Sequence, residues 1–243
     1  MKKPLHFVNA RRQQQGQSAT EFLIVLPVLI FLVFGVLQWA LIYQARSTLN
    51  HAAFLSARAG SLNNGSKASM QSGLAAGLTP LFAASANVSG YVSARAKAQA
   101  EVLFPSNAQL EVINPTKQAM TDFGRKRLDQ KSGTEIPNDT LMYRTTNPGP
   151  KSKISVQDAN ILHLRVTYCY RLIVPLVNRM IHAAANAGWF SSSLDAGGMS
   201  KPFGDLHQSQ LVSKCPSIDG PRIQLRSEAI VRMQSPFFSE NLQ

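Results

Sequence analysis

Few side chains in this chain have the type and spacing that chemistry requires. Five histidines, His6, His51, His163, His182 and His207, are scattered, and none sits in a His-Glu-x-x-His or Cys/His pattern that would hold zinc. There is no Gly-x-x-x-x-Gly-Lys-Ser/Thr phosphate loop, no Gly-x-Gly-x-x-Gly turn and no Gly-x-Ser-x-Gly nucleophile elbow. The expectation is therefore no catalytic residue, no cofactor, no metal and no enzyme. Two features remain. One is Gly16 followed by Gln17-Ser18-Ala19-Thr20 and then Glu21-Phe22, which places a carboxylate at the head of an apolar run. An ionised acid at a membrane boundary is costly and calls for a partner; the bland alternative is a glutamate tolerated near a helix N-terminus by the macrodipole. The other is a pair of cysteines, Cys169 and Cys215.

The element that positions Glu21 is the apolar run itself. From Phe22 to Tyr43 the chain carries no formal charge, and Gln38 is its one strongly polar side chain. At ~1.5 Å per residue the run reaches about 33 Å, enough to cross a hydrocarbon core of about 30 Å. Its many Leu, Ile, Val and Phe side chains favour insertion by several kcal/mol at ~0.3–0.6 kcal/mol each, and Trp39 and Tyr43 suit the far headgroup boundary. The 243 residues carry 25 Lys and Arg against 13 Asp and Glu, a net charge of +12. Four of those cations, Lys2, Lys3, Arg11 and Arg12, precede the run, whereas only Arg46 and Arg58 follow it closely. This bias keeps the N-terminus in the cytoplasm and sends residues beyond about 44 across the membrane. A signal peptide fits less well, because its apolar core is shorter (about 7–15 residues) and a small-residue cleavage site follows it closely. Pro27 lies within the run, where it removes a helical hydrogen bond. Without an aromatic-and-basic cluster, the surplus charge does not point to nucleic acid.

The edge Gln15-Gly16-Gln17-Ser18-Ala19-Thr20-Glu21-Phe22 resembles the prepilin-peptidase site of Flp-type (Tad) pilins, a glycine followed by four residues and Glu-Phe or Glu-Tyr. The stretch TEFLIVLPVLIFLVFGVLQWALIYQARSTLNHAAFLSARAG resembles the start of TadE-like pseudopilins, with a proline in the span and an Ala/Arg-rich helix after it. The close resemblance covers roughly residues 12–62. It implies a processing site at Gly16, Gln17, Glu21 and Phe22, with cleavage after Gly16 making Glu21 the fifth mature residue. It also implies a role for Glu21 in meeting the new α-amino group of a neighbouring subunit. The implied protein is a minor pseudopilin required for assembly of a Tad/Flp pilus, serving adhesion, biofilm formation and surface attachment. Its implied partners are the membrane, a prepilin peptidase and other pilins and pseudopilins. Its implied place is the inner membrane, with a single span and the C-terminal domain outside. No Asp-x-Ser-x-Ser motif is present, which separates the chain from the larger von Willebrand-type adhesins. The rival readings are an uncleaved, membrane-anchored envelope binding protein and an anchored envelope enzyme.

After the membrane, residues 44–62 continue as a helix on composition. Ala52, Ser56 and Gly60 recur at four-residue steps beside Ala53 and Ala57, a surface another helix can approach closely. Docking onto the chain's own outer domain is the ordinary use, and Asn63-Asn64-Gly65 supplies a stop. Residues 66–104 read as weakly helical, divided by Gly73, Gly77, Pro80 and Gly90. Three segments alternate with period two: 108–112, 160–172, and 222–233, where Arg222, Gln224, Arg226, Glu228 and Arg232 fall on the wet face. One wet and one buried face favours antiparallel pairing. Pro175 opens a short helix with the apolar stripe Leu176, Val177, Met180, Ile181 and Ala184, fit to pack over the sheet or to lie on a membrane surface, with Gly188 as its stop. Residues 125–157 and 188–221 read as exposed loops, and Arg125-Lys126-Arg127 as solvated cations or an anion contact. In an oxidising compartment Cys169, on the wetter strand face, would pair with Cys215 in a structural disulfide. The expected fold is α+β: a basic leader over 1–16, a pilin-like transmembrane and stalk helix over 17–62, and an extracytoplasmic domain over 63–243. In that domain helices pack a small antiparallel sheet.

Overall fold

The computed structural model describes residues 17–129, 132–186, 215 and 220–242. Helix α1 (Gln17–Leu62) contains 46 residues and is about 69 Å long at ~1.5 Å per residue. Pro27 sits inside it without ending it. From Ile42 onward one face turns inward: Ile42, Ala45, Leu49, Ala52, Ala53, Ser56 and Ala57 are buried at three- and four-residue intervals. The helix ends where Asn64 (φ 56°) and Gly65 (φ 74°) enter the left-handed region, and the Gly65 amide donates back to the Gly60 carbonyl at 2.9 Å. Gly65 is also required by crowding, because a Cβ there would lie 2.1 Å from the Phe237 ring. The C-terminal segment clamps this turn: Ser235 Oγ donates to the Ser61 carbonyl, and the Asn64 amide donates to Ser235 Oγ.

Helix α2 (Lys67–Leu78) returns antiparallel along the small-residue stripe of α1. Ser56 Oγ donates to the Met70 carbonyl at 2.8 Å. A Cβ on Gly77 would stand 2.3 Å from Ala52 Cα, and one on Gly73 2.8 Å from the Leu55 carbonyl oxygen. These glycines do not divide the segment, as expected from sequence; they lie inside one helix and let two backbones touch. Pro80 falls in a 3-10 turn over Thr79–Phe82, and Gly90 lies in the first turn of helix α3 (Val88–Leu103), where its amide donates to the Asn87 side chain.

The main sheet has the order β1 (Ala108–Asn114), β4 (Ile161–Arg171), β5 (Arg222–Arg232), antiparallel throughout. Between β1 and β4 come helix α4 (Lys117–Phe123), strands β2 (Arg125–Lys126) and β3 (Thr134–Ile136), and helix α5 (Val156–Ala159). Leu162, Leu164, Val166 and Tyr168 face α1 and are buried, as the alternation predicts. The opposite face carries a ladder in which Glu228 accepts from Arg165 Nε at 2.7 Å and pairs with His163 at 3.0 Å. Partial burial pushes the Glu228 carboxyl up, but hydrogen bonds from Arg165 and His163 outweigh it and hold the group below its ordinary value. Long N-terminal helix, further helices and small antiparallel sheets make the fold α+β.

Residues 125–157 are more structured than an exposed loop. Strands β2 and β3 pair with β6 (Phe237–Phe238) in a second three-stranded sheet. Arg125 and Arg127 are not free cations: Arg125 pairs with buried Glu135 and with Asp139, while Arg127 pairs with Glu240 at 2.8 Å and stacks over Phe238. Arg127 thereby pins the C-terminal segment to the body.

Gly77→Val is expected to cost ~1–3 kcal/mol by overpacking the α1–α2 contact, lowering Tm by about 3–10 °C in a thermal melt. Gly35→Ala, where a Cβ meets nothing within 4 Å, should not lower Tm.

Candidate membrane helix, processing segment and disulfide

The N-terminal part of α1 projects an apolar surface that is left exposed among the described residues. Phe22, Leu23, Ile24, Val25, Val28, Leu29 and Leu32 are each more than half exposed. The first α1 side chain to lie against the core is Phe34, twelve residues beyond Phe22. Among the described residues one helix is long and apolar enough to cross a membrane, and this is it. That fits a protein anchored by a single span.

Of the four residues expected at the processing site, Gly16 lies outside the described residues, as does the whole basic leader over 1–16. Gln17, Glu21 and Phe22 lie on the first turns of α1. Glu21 is exposed and sits immediately before the apolar surface begins. From Glu21 to Trp39 is about 27 Å of helix, close to the hydrocarbon thickness of about 30 Å, a separation that suits the two ends of a single span.

Gln38, the one strongly polar residue of the apolar run, is fully buried. Its Oε1 accepts the Val174 amide at 2.9 Å, fastening the segment after β4 to α1. That segment leads into helix α6 (Val177–Asn186), which packs on α1 and β5 through buried Val177 and Ile181. The predicted stripe is thus only half buried: Leu176 and Met180 are 68% and 56% exposed. The stop expected at Gly188 lies outside the described residues.

Cys169 and Cys215 are brought together, with Cα atoms 5.6 Å apart in a disulfide. Cys169 is buried and not on a wet face, because Cys215 itself covers that end of β4. Beside it Arg222, expected on the wet face, is buried with Glu101 at 3.2 Å and donates to the Cys169 carbonyl. Asn107 Nδ2 also donates to Glu101, so this acid is held from two sides. Burial pushes the phenol of neighbouring Tyr168 up. Sequence alternation alone could not reveal the pair, since Glu101 comes from α3, far from β5 in the chain. Among the described residues no group of three or more His, Cys, Asp or Glu is placed to hold a metal ion.

These features fit the class of single-span, membrane-anchored α+β proteins. Comparison with known families is narrower and more telling: the model of the TadE-like protein family matches residues 16–58. The match covers the start of α1, the apolar surface, Gln38 and most of the small-residue stripe. In that segment the chain is similar to TadE-like proteins. No curated protein and no solved structure matches the chain.

In protein isolated from the cell envelope, alkylation without reduction should add no mass, and alkylation after reduction should add two groups. The double variant Cys169→Ser/Cys215→Ser should lose ~4 kcal/mol, because the bond closes a loop spanning 46 positions.

Proposed function

We propose that the chain is a minor pseudopilin of the TadE-like kind, processed by a prepilin peptidase and required for assembly of a Tad/Flp pilus. The observation that carries this reading is the exposed apolar half of α1 with Glu21 at its head, inside the segment 16–58 that the TadE-like family model matches. The cations Lys2, Lys3, Arg11 and Arg12 support an N-terminus held in the cytoplasm and a body on the far side of the membrane. The enclosed disulfide supports the same side for the body, since such bonds persist in oxidising compartments.

The mechanism has three steps. The leader and the apolar helix insert the precursor with its N-terminus inside. The peptidase then hydrolyses the Gly16–Gln17 bond: water adds to the Gly16 carbonyl carbon, the carbon–nitrogen bond breaks, and Gln17 leaves as a free amine. The catalytic groups belong to the peptidase, and this chain is not itself an enzyme. In the third step α1 joins other pilin-like helices in the membrane. Glu21 lies four residues after Gln17, about 6 Å along the axis. A neighbour displaced by that amount sets its ammonium beside the carboxylate, and low dielectric makes other registers costly. The outer body then binds further subunits or a surface.

N-terminal sequencing of membrane-extracted protein tests the reading. The first residue should be Gln17 when the prepilin peptidase is present and Met1 when it is deleted. Met1 in both strains would reject processing and favour an uncleaved anchored binding protein. Glu21→Gln should leave insertion and cleavage intact while lowering the number of pili several-fold; unchanged piliation would refute the register role.

A further inference from the structure

The body of the protein starts too early along α1 for the helix to cross a bilayer free of it. Phe22 to Phe34 is about 18 Å of helix and Phe22 to Gln38 about 24 Å, whereas the hydrocarbon core is about 30 Å thick. With Phe22 at the inner boundary, Gln38 therefore lies about 6 Å inside the outer one. Tilting the helix places it deeper still. Sliding the helix outward until Gln38 reaches water would draw Glu21 and the polar residues before it into hydrocarbon, which is unfavourable for an ionised acid. Val174 is hydrogen-bonded to Gln38 and so travels with it.

The residues around that anchor fit lipid. Ile173, Leu176 and Met180 are 63%, 68% and 56% exposed, in the segment and helix that Val174 and α6 hold against α1. Leu176 holds a left-handed backbone (φ 67°), unusual for a bulky residue, and its side chain points away from the core. Arg171, Arg179 and, on α1, Arg46 are exposed, and side chains of this kind can reach anionic headgroups while their stems lie along apolar surface. The opposite end of the sheet, where Asn160 and Met233 meet and where Gln234 bonds to Ser61, stands farthest from the span.

We propose that the segment Ile173–Leu176 and the outward face of α6, with Met180, are embedded in the outer leaflet beside α1. They form a foot that holds the body flush against the bilayer. The inference rests on reading α1 as a membrane span. The foot fixes the rotation and depth of α1, so the body cannot sway on a free stalk.

Site-directed spin labelling of the full chain in vesicles of phosphatidylethanolamine and phosphatidylglycerol tests this. Both native cysteines are bonded to each other, so one added cysteine is the single free thiol. Labels in I173C, L176C and M180C should show a several-fold excess of oxygen over nickel-chelate accessibility, matching L29C on the bare helix. M142C, 83% exposed at the far end of the body, should show the reverse. Nickel access at all three foot positions, with L29C in lipid, would overturn the foot and leave the span intact. Shielding of the three from both reagents would mean a protein partner covers them, which also overturns it. Nickel access at L29C would overturn the membrane span, and the foot with it.

Discussion

A single unbroken helix in this protein must satisfy two different solvents. Toward its C-terminal end α1 is an ordinary amphipathic core helix, with Ala45, Leu49, Ala52, Ala53 and Ala57 fully buried under α2 and the sheet. Toward its N-terminal end the same helix is apolar on every side, and among the described residues most of its side chains from Phe22 to Leu32 are more than half exposed. Backbone hydrogen bonds within a helix are satisfied in water and in lipid alike, so only the side chains need change between the halves. Fully burying a Leu or Phe is worth ~1.5–3 kcal/mol each, and the free half holds a long row of such residues. That surface demands hydrocarbon or other helices, and everything else in the structure is arranged around the place where the two halves meet.

The body grips α1 through smallness where the contact is helix to helix and through specific polar bonds at the ends. Gly77 against Ala52, and Gly73 against the Leu55–Ser56 backbone, leave no room for a Cβ. Ser56 and Met70 tie the same interface with a hydrogen bond. At the far end, Ser61 and Asn64 are held by the C-terminal segment after β5. At the near end, Gln38 is held by Val174. The Gln38 amide nitrogen has no partner among the described residues, so this bond is made in a dry setting where a missing partner is costly. The helix is thus fixed at both ends of its buried half.

Much of this was legible in the residues, for identifiable reasons. The span shows because hydrocarbon imposes a length and excludes charge, and both leave a mark on consecutive residues. The strands β1, β4 and β5 show because a sheet with one buried face forces period-two alternation, and burial in β4 alternates from Ile161 to Tyr168 before the disulfide covers Cys169. The features that stayed hidden are those set by distant partners. Arg222 reads as a wet-face cation, and its burial depends on Glu101 from α3 and on the carbonyl of Cys169. Arg125 and Arg127 read as loop charges until β3 and β6 supply Glu135, Phe238 and Glu240. Gly73 and Gly77 read as breaks, because composition does not tell a glycine that ends a helix from one that admits a neighbour. At Gln38 the signal was present, a lone amide in an apolar run, but its partner at Val174 was not.

The central claim is that one helix is stable in both halves only because its free half sits in lipid. Amide hydrogen exchange of the full chain, in nanodiscs and resolved along α1, reads both halves at once. Residues 23–36 should resist exchange as strongly as residues 45–60, the former shielded by hydrocarbon and the latter by the body. Rapid exchange over 23–36 beside protected 45–60 would leave the apolar half fraying in water, and the account would be wrong.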